Sequence, residues 1–248
     1  MIFCTVKLKT LLLSFFLSAF FFFLCFSAPL PAFKSGTKEI PIYSVKRDDN
    51  KISLTFNCAW GDEDIDDILS VLKKYNADAT FFVVGTWAEK YPESLLKIHS
   101  SGFEIGNHSY NHAHYSKLSK ENIIKDIEKG DNAIKTVTNT APLFFRAAYG
   151  EYTNDVIYAC NETGRCYIQW SVDSLDYKAN SPDEISKRVL EKTKSGDIIL
   201  MHTGTKYTKD SLEEILSNLT KNFSLVRVSD LVYQDNFKID VTGKQYKE

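Results

Sequence analysis

The sequence predicts an α/β protein, a closed or nearly closed β/α barrel of about seven parallel strands. Two observations predict it. From Ile52 onward, short apolar runs alternate with amphipathic stretches of helical period, the pattern of βαβ units on a parallel sheet. The whole chain is 248 residues, so about seven such units fill one domain and leave no room for a second of the same kind. A doubly wound open sheet is the competing architecture. No GxGxxG or Walker sequence follows any strand, so nucleotide binding has no support. There are no internal repeats.

The elements follow in order. Residues 1–28 carry Lys7 and Lys9 ahead of an uncharged stretch from Leu11 to Ala28, rich in Phe and Leu. That is a signal peptide or an N-terminal membrane anchor. The stretch is just long enough to span a bilayer. The lysine pair in front of it puts the rest of the chain outside the cytoplasm. Cleavage after Ala28 would leave Pro29 next, so removal and retention both stand. Residues 29–50, with Pro29, Pro31, Gly36 and Pro41, read as a linker. The domain is expected over 51–235. Its strands are Ile52–Phe56, Ala79–Val84, Phe103–Gly106, Leu143–Phe145, Tyr167–Val172, Ile198–Met201 and Ser224–Val228. Its helices run through Ile65–Leu72, Trp87–His99, Leu118–Ile134, Asp155–Cys160, Ile185–Lys192 and Leu212–Leu219. Ser181 is placed to cap the Ile185 helix, with Pro182 at its first position. Residues 236–248 read as a loose polar tail.

Composition excludes some functions. Net charge is −2, and no long Lys/Arg run exists, so there is no field for nucleic acid. Of five cysteines, Cys58, Cys160 and Cys166 lie in the domain, and in an exported protein Cys160 and Cys166 are candidates to pair.

The chemically capable residues fall at the C-terminal ends of strands. Asn57 and Cys58 follow the first strand, and His108 the third. Arg146 ends the fourth, Asp173 and Asp176 follow the fifth, and His202 follows the sixth. In a β/α barrel those ends share one face, so groups distant in sequence converge there. His108 and His112, four positions apart, fit two imidazoles on one side of a helical turn, a spacing that holds zinc. Surface or capping histidines are the plain alternative. Asn107 and Ser109 are placed to support them, and His114 reads as a bystander. His202 is a candidate general acid, with Asp173 or Asp176 as its carboxylate partner. Otherwise it is a hydrogen-bonded core histidine. A buried Arg146 needs a partner. Trp60, Tyr149 and Tyr177 can stack on sugar rings, and each is also explicable as core.

These residues, in this order, resemble the five motifs of the polysaccharide deacetylase (NodB-like) family, over roughly Lys51 to Gln234. The resemblance implies a distorted β/α barrel. It also implies hydrolysis of acetamide groups on N-acetylated glycans, peptidoglycan or chitin-like, with a divalent metal, zinc by first choice. His108-Ser109-x-x-His112 matches the metal-binding motif. Arg146-Ala-Ala-Tyr149-Gly150 stands where the third motif has Arg-Pro-Pro-Tyr-Gly: the prolines are lost, but the Arg, which orients the base, is kept, with Tyr149 presented to the groove. Trp170-Ser-Val-Asp173-Ser-Leu-Asp176-Tyr177 resembles the fourth, with Tyr177 where Trp is usual. In Leu200-Met201-His202 the resemblance makes Leu200 the wall for the acetyl methyl and His202 the acid.

The first motif departs. The family has Thr-Phe-Asp-Asp-Gly, the first Asp a general base and the second a metal ligand. Here Thr55-Phe56-Asn57-Cys58-Ala59-Trp60-Gly61 stands instead. Asn57 takes the base position and accepts no proton. Cys58 takes the ligand position, and a thiolate is a zinc ligand. Failing Cys58, Asp62 or Asp64 is the next carboxylate for either role. The Ala-Trp-Gly ending and the upstream Ile40–Val45 run resemble the sporulation-associated branch. The alternative reading is therefore a catalytically weak or inactive glycan-binding relative in envelope or spore assembly.

Overall fold

A computed structural model describes residues 38–248, so the expected signal or anchor segment lies outside the described residues. Among the described residues no helix is long and apolar enough to cross a membrane. Residues Glu39–Glu248 form one compact unit.

The core of that unit is a curled sheet of parallel strands. Its central strand is β2 (Lys51–Cys58), with β1 (Ser44–Val45) before it. Next come α1 (Ile65–Lys74), β3 (Ala79–Val83), α2 (Gly85–Lys90), α3 (Pro92–Ser100), β4 (Glu104–Asn107) and α4 (Lys120–Thr138). Then β5 (Phe144–Phe145), α5 (Asn154–Glu162), β6 (Cys166–Tyr167), β7 (Val172–Asp173) and α6 (Pro182–Lys192). The chain continues through β8 (Ile198–His202), α7 (Thr208–Leu219), β9 (Ser224–Leu225), α8 (Val228–Leu231), β10 (Phe237–Ile239) and β11 (Lys244–Lys247). The sheet order is β6-β5-β4-β3-β2-β8-β7, with β9 added beside the start of β2, and every pairing is parallel.

The side-chain period of a strand decides what goes where. Along β2, Ile52, Leu54, Phe56 and Cys58 join the apolar layer between sheet and helices. Ser53, Thr55 and Asn57 alternate with them and face the other way, buried inside the curl. The helices meet the outer layer with one stripe each: Ile65, Ile68, Leu69 and Leu72 on α1, and Leu212, Ile215, Leu216 and Leu219 on α7. Burying such a stripe contributes roughly 1.5–3 kcal/mol per large apolar side chain.

Three expected elements differ. The single helix over Trp87–His99 is two, broken at Tyr91, because Pro92 starts α3 and cannot continue α2. The single strand Tyr167–Val172 is two short ones, and they stand at opposite ends of the sheet order. The stretch between them crosses the seam of the curl, so the barrel is distorted rather than regularly closed. The strand expected to reach Val228 stops at Leu225, and Val228 opens the short α8.

The described ends of the chain also differ from a linker and a loose tail. Ile42 and Val45 are buried. Ile42 bridges to Ile168 and Ser44 to Asp197, so this segment lies across the seam between β6 and β8. β10 and β11 form a hairpin, and β11 pairs in parallel with β1. Gln245 is fully buried there, exchanging hydrogen bonds with the backbone of Tyr233. Cys58, Cys160 and Cys166 are all free thiols in this structure.

Candidate active site

The C-terminal ends of the strands do converge. They surround a cavity of about 380 Å³ lined by Asn57, Ala59, Trp60, His108, His112, Tyr149, Trp170, Asp173, Tyr177, Leu200 and His202. Asn57 and His202 are register partners on adjacent strands.

Arg146 sits behind this floor, fully buried. Its Nη1 donates to Thr55 Oγ1 at 2.9 Å and to Asn57 Oδ1 at 3.0 Å. Its Nε and Nη2 donate to the carbonyls of Ile168 and Gln169. Its guanidinium lies 4.0 Å from the Phe82 ring centroid, a cation–π contact. Every acceptor is neutral. Burial with no carboxylate nearby pulls its pKa down to about 9. The Arg therefore does orient the residue at the base position, but that residue is an amide.

His108 is fully enclosed, and its Nδ1 is 2.7 Å from the Arg146 carbonyl. A carbonyl only accepts, so Nδ1 carries the proton and Nε2 keeps a lone pair. Burial and the neighbouring His112 hold its pKa well below the ordinary imidazole value. His112 is likewise lowered, chiefly by burial. The two rings lie 5.1 Å apart, edge to face. They come together through a loop rather than a helical turn. Ser109 and His112 both have positive φ (70° and 58°), and the Ser109 hydroxyl accepts from the His112 N–H. Asn107, expected to support the pair, instead ties the end of β4 to α4 through Ile127 and Asp131.

His202 and its partner are settled by geometry. Asp176 Oδ1 is 2.7 Å from His202 Nδ1, and Oδ2 accepts the His202 N–H at 2.7 Å and the Thr208 hydroxyl. This leaves His202 Nε2 for the pocket. Asp173 lines the cavity, but its carboxylate caps the Leu175 N–H and makes no bond to His202. Trp60 and Tyr177 flank the His202 ring at 5.1 and 5.4 Å. Both are about half exposed, as is Tyr149. Tyr149 has φ 60° and is held there by His114, whose ring stacks on it at 4.1 Å, with Glu151 fixing His114 at 2.8 Å. His114 is thus part of the rim, not a bystander. Its sequence signal was the Tyr149-Gly-Glu151 turn, whose partner cannot be read locally.

Two ligand expectations fail. Cys58 is fully buried among the apolar residues between sheet and helices and does not line the cavity, because the strand period turns it opposite to Asn57. Burial also drives its thiol pKa upward, away from the thiolate a metal needs. Asp62 and Asp64 are likewise spoken for. Asp62 accepts from Ser94, and both Asp64 oxygens accept the Gly204 N–H. Among the described residues no three His, Cys, Asp or Glu converge on a metal-sized point. Catalytic zinc takes three protein ligands. His108 and His112 fit two of them and nothing here fits the third, so the donor set does not suit a tightly held catalytic ion.

Comparison with known proteins agrees with the geometry. The polysaccharide deacetylase family profile matches residues 44–168. The uncharacterized protein YlxY of Bacillus subtilis is 34% identical over 77% of this chain and 60% of its own length. A peptidoglycan-N-acetylglucosamine deacetylase of Bacillus cereus is 33% identical over 68% of this chain and 63% of its own. The chain thus spans about 60% of the length of these two relatives. In three dimensions, a Bacillus anthracis protein described as a CE4 family pseudoenzyme has 29% identity and a TM-score of 0.75, covering 84% of this chain and 73% of that one. A peptidoglycan N-acetylglucosamine deacetylase in complex with a substituted benzamide has 32% identity and a TM-score of 0.73, covering 77% and 92%. The distorted barrel, the retained strand-end residues and these matches together make the chain a member of the polysaccharide deacetylase family.

Proposed function

We infer that the chain engages N-acetylated glycan, of the peptidoglycan or chitin-like type, in this groove, with the hydrolytic step disabled where water would be activated. One observation carries the reading. Asn57 stands in register beside His202, its carbonyl held by Arg146, and an amide there accepts no proton. The groups that would grip the sugar and protonate a leaving amine are present: the Trp60, Tyr149 and Tyr177 rim, Leu200, and the His202–Asp176 pair. A divalent ion, zinc by resemblance, would rest on His108 and His112 alone. Losing a general base costs about 100- to 10,000-fold, and an incomplete metal site lowers the rate further. The likeness to a described pseudoenzyme supports this, as does a mutant of that protein described as having restored enzymatic activity (31% identity, TM-score 0.74). Weak residual hydrolysis is the second reading, favoured by the intact His202–Asp176 pair.

The test is acetate release from chitin oligomers and peptidoglycan with zinc present. The chain as it stands should release none above background. Asn57→Asp, which puts a carboxylate at the cavity, should release acetate at least about 100-fold faster. Equal rates from the two proteins would overturn the reading. From the Lys7/Lys9 and apolar 11–28 pattern we further propose that the protein works outside the cytoplasm, membrane-attached or secreted, with spore-envelope assembly as its finer setting. Fractionation of cells carrying a C-terminal tag checks this, and recovery in the cytosol would defeat it.

A further inference from the structure

Arg146 sets the polarity of the cavity floor twice over. Its guanidinium donates to Asn57 Oδ1, which obliges the Asn57 amide nitrogen to take the other side. That nitrogen has no partner among the described residues, and the side chain lines the cavity. The Arg146 carbonyl accepts a hydrogen bond from His108 Nδ1–H, which leaves Nε2 as a bare lone pair on another cavity-lining residue. The floor therefore shows one fixed N–H donor and one fixed acceptor, and Leu200 adds an apolar wall. A secondary acetamide offers the complement: a carbonyl acceptor, an N–H donor and a methyl group.

We propose that this pocket is a metal-independent reader of the intact N-acetyl group, with Asn57 Nδ2 donating to the acetamide carbonyl and His108 Nε2 accepting its N–H. Asn57 is then a binding and specificity residue rather than only the scar of a lost base, and Arg146 is the positioning residue that fixes both polarities. The proposal rests on the glycan reading above and sharpens it to the acetylated form. Charge alone argues the other way: Asp173 at the cavity and Asp176 behind His202 would favour the cationic, deacetylated sugar.

The experiment is calorimetric titration of the full chain with chitotetraose and with the same oligomer fully N-deacetylated, both in excess chelator. The acetylated oligomer should bind at least about tenfold more tightly, the worth of a buried hydrogen bond. Added zinc, competing for the His108 lone pair, should weaken that binding. Asn57→Asp puts an acceptor against the acetamide carbonyl and should collapse the acetylated-to-deacetylated preference toward unity. A merely misfolded variant would lose both ligands together, and its melting curve would show it. Equal or tighter binding of the deacetylated oligomer overturns the proposal while leaving the glycan reading in place. Binding seen only with zinc also overturns it. Binding of neither oligomer overturns both.

Discussion

Asp64 shows how one buried carboxyl can organise a site without touching it. Both its oxygens accept the Gly204 N–H and so hold the turn that follows His202. A Cβ on Gly204 would meet Gly61 N at 2.5 Å, and the residue has φ +70°, so the turn is tightly specified. Burial raises the Asp64 pKa to about 6, against roughly 3.9 in an unfolded chain. The folded protein thus binds this proton more tightly than the unfolded one between about pH 4 and 6. By linkage, the cost of the buried charge is fully present above pH 6 and is relieved as pH falls through that window. Asp64→Asn keeps an acceptor and removes the charge. It should stabilise the protein at pH 7.5 by about 1–2 kcal/mol after solvent screening. The gain should fade toward pH 4. Melting curves of both proteins at the two pH values decide it, and a gain independent of pH would refute the assignment. None of this was legible in the sequence, where Asp62 and Asp64 were interchangeable carboxylates after the first strand. Asp176 and Asp173 pose the same problem: both follow one strand, and only the path of the chain to Thr208 and His202 separates the partner from the loop cap.

At the scale of elements, period-2 and period-3.6 patterns were enough to find the strands and helices, because each buries one face against the same apolar layer. They failed where an element's length is set by something other than its own pattern. Pro92 divides one apolar stretch into two helices. Tyr167–Val172 reads as a continuous strand, yet its middle must cross the seam, so its two ends pair with different neighbours. The C-terminal hairpin was hidden because β10 and β11 are short and polar, and their pairing partner β1 lies about two hundred positions away. This hairpin supports the segment that covers the seam. Deleting residues 236–248 should uncover Val45 and Ile42, leave the backbone of Tyr233 without Gln245, and lower stability by about 2–4 kcal/mol. Urea unfolding of the truncated chain measures this; an unchanged midpoint would show that the hairpin is ornamental.

For the whole molecule, the described unit from Glu39 to Glu248 has one curled eight-stranded parallel sheet with helices packed on its outer face, and a small three-stranded sheet of β1, β11 and β10. Phe56, Phe81 and Ile199, from three neighbouring strands, share one apolar cluster with α1 and α7. Such a core opens cooperatively, so tryptophan fluorescence and far-ultraviolet circular dichroism should report a single coincident urea transition. Two separated midpoints would mean that the seam side unfolds on its own. The sequence by itself determined the parallel α/β barrel, the family and the roll of residues at strand ends, because side-chain periodicity and strand-end chemistry are local properties. It also determined that Asn57 cannot serve as a base. Only the tertiary structure decided which way Cys58 faces, which aspartate holds His202, and that Arg146 fixes the polarity of both Asn57 and His108. Those depend on which groups meet across strands far apart in sequence, and on the buried hydrogen bonds that leave each of them one orientation.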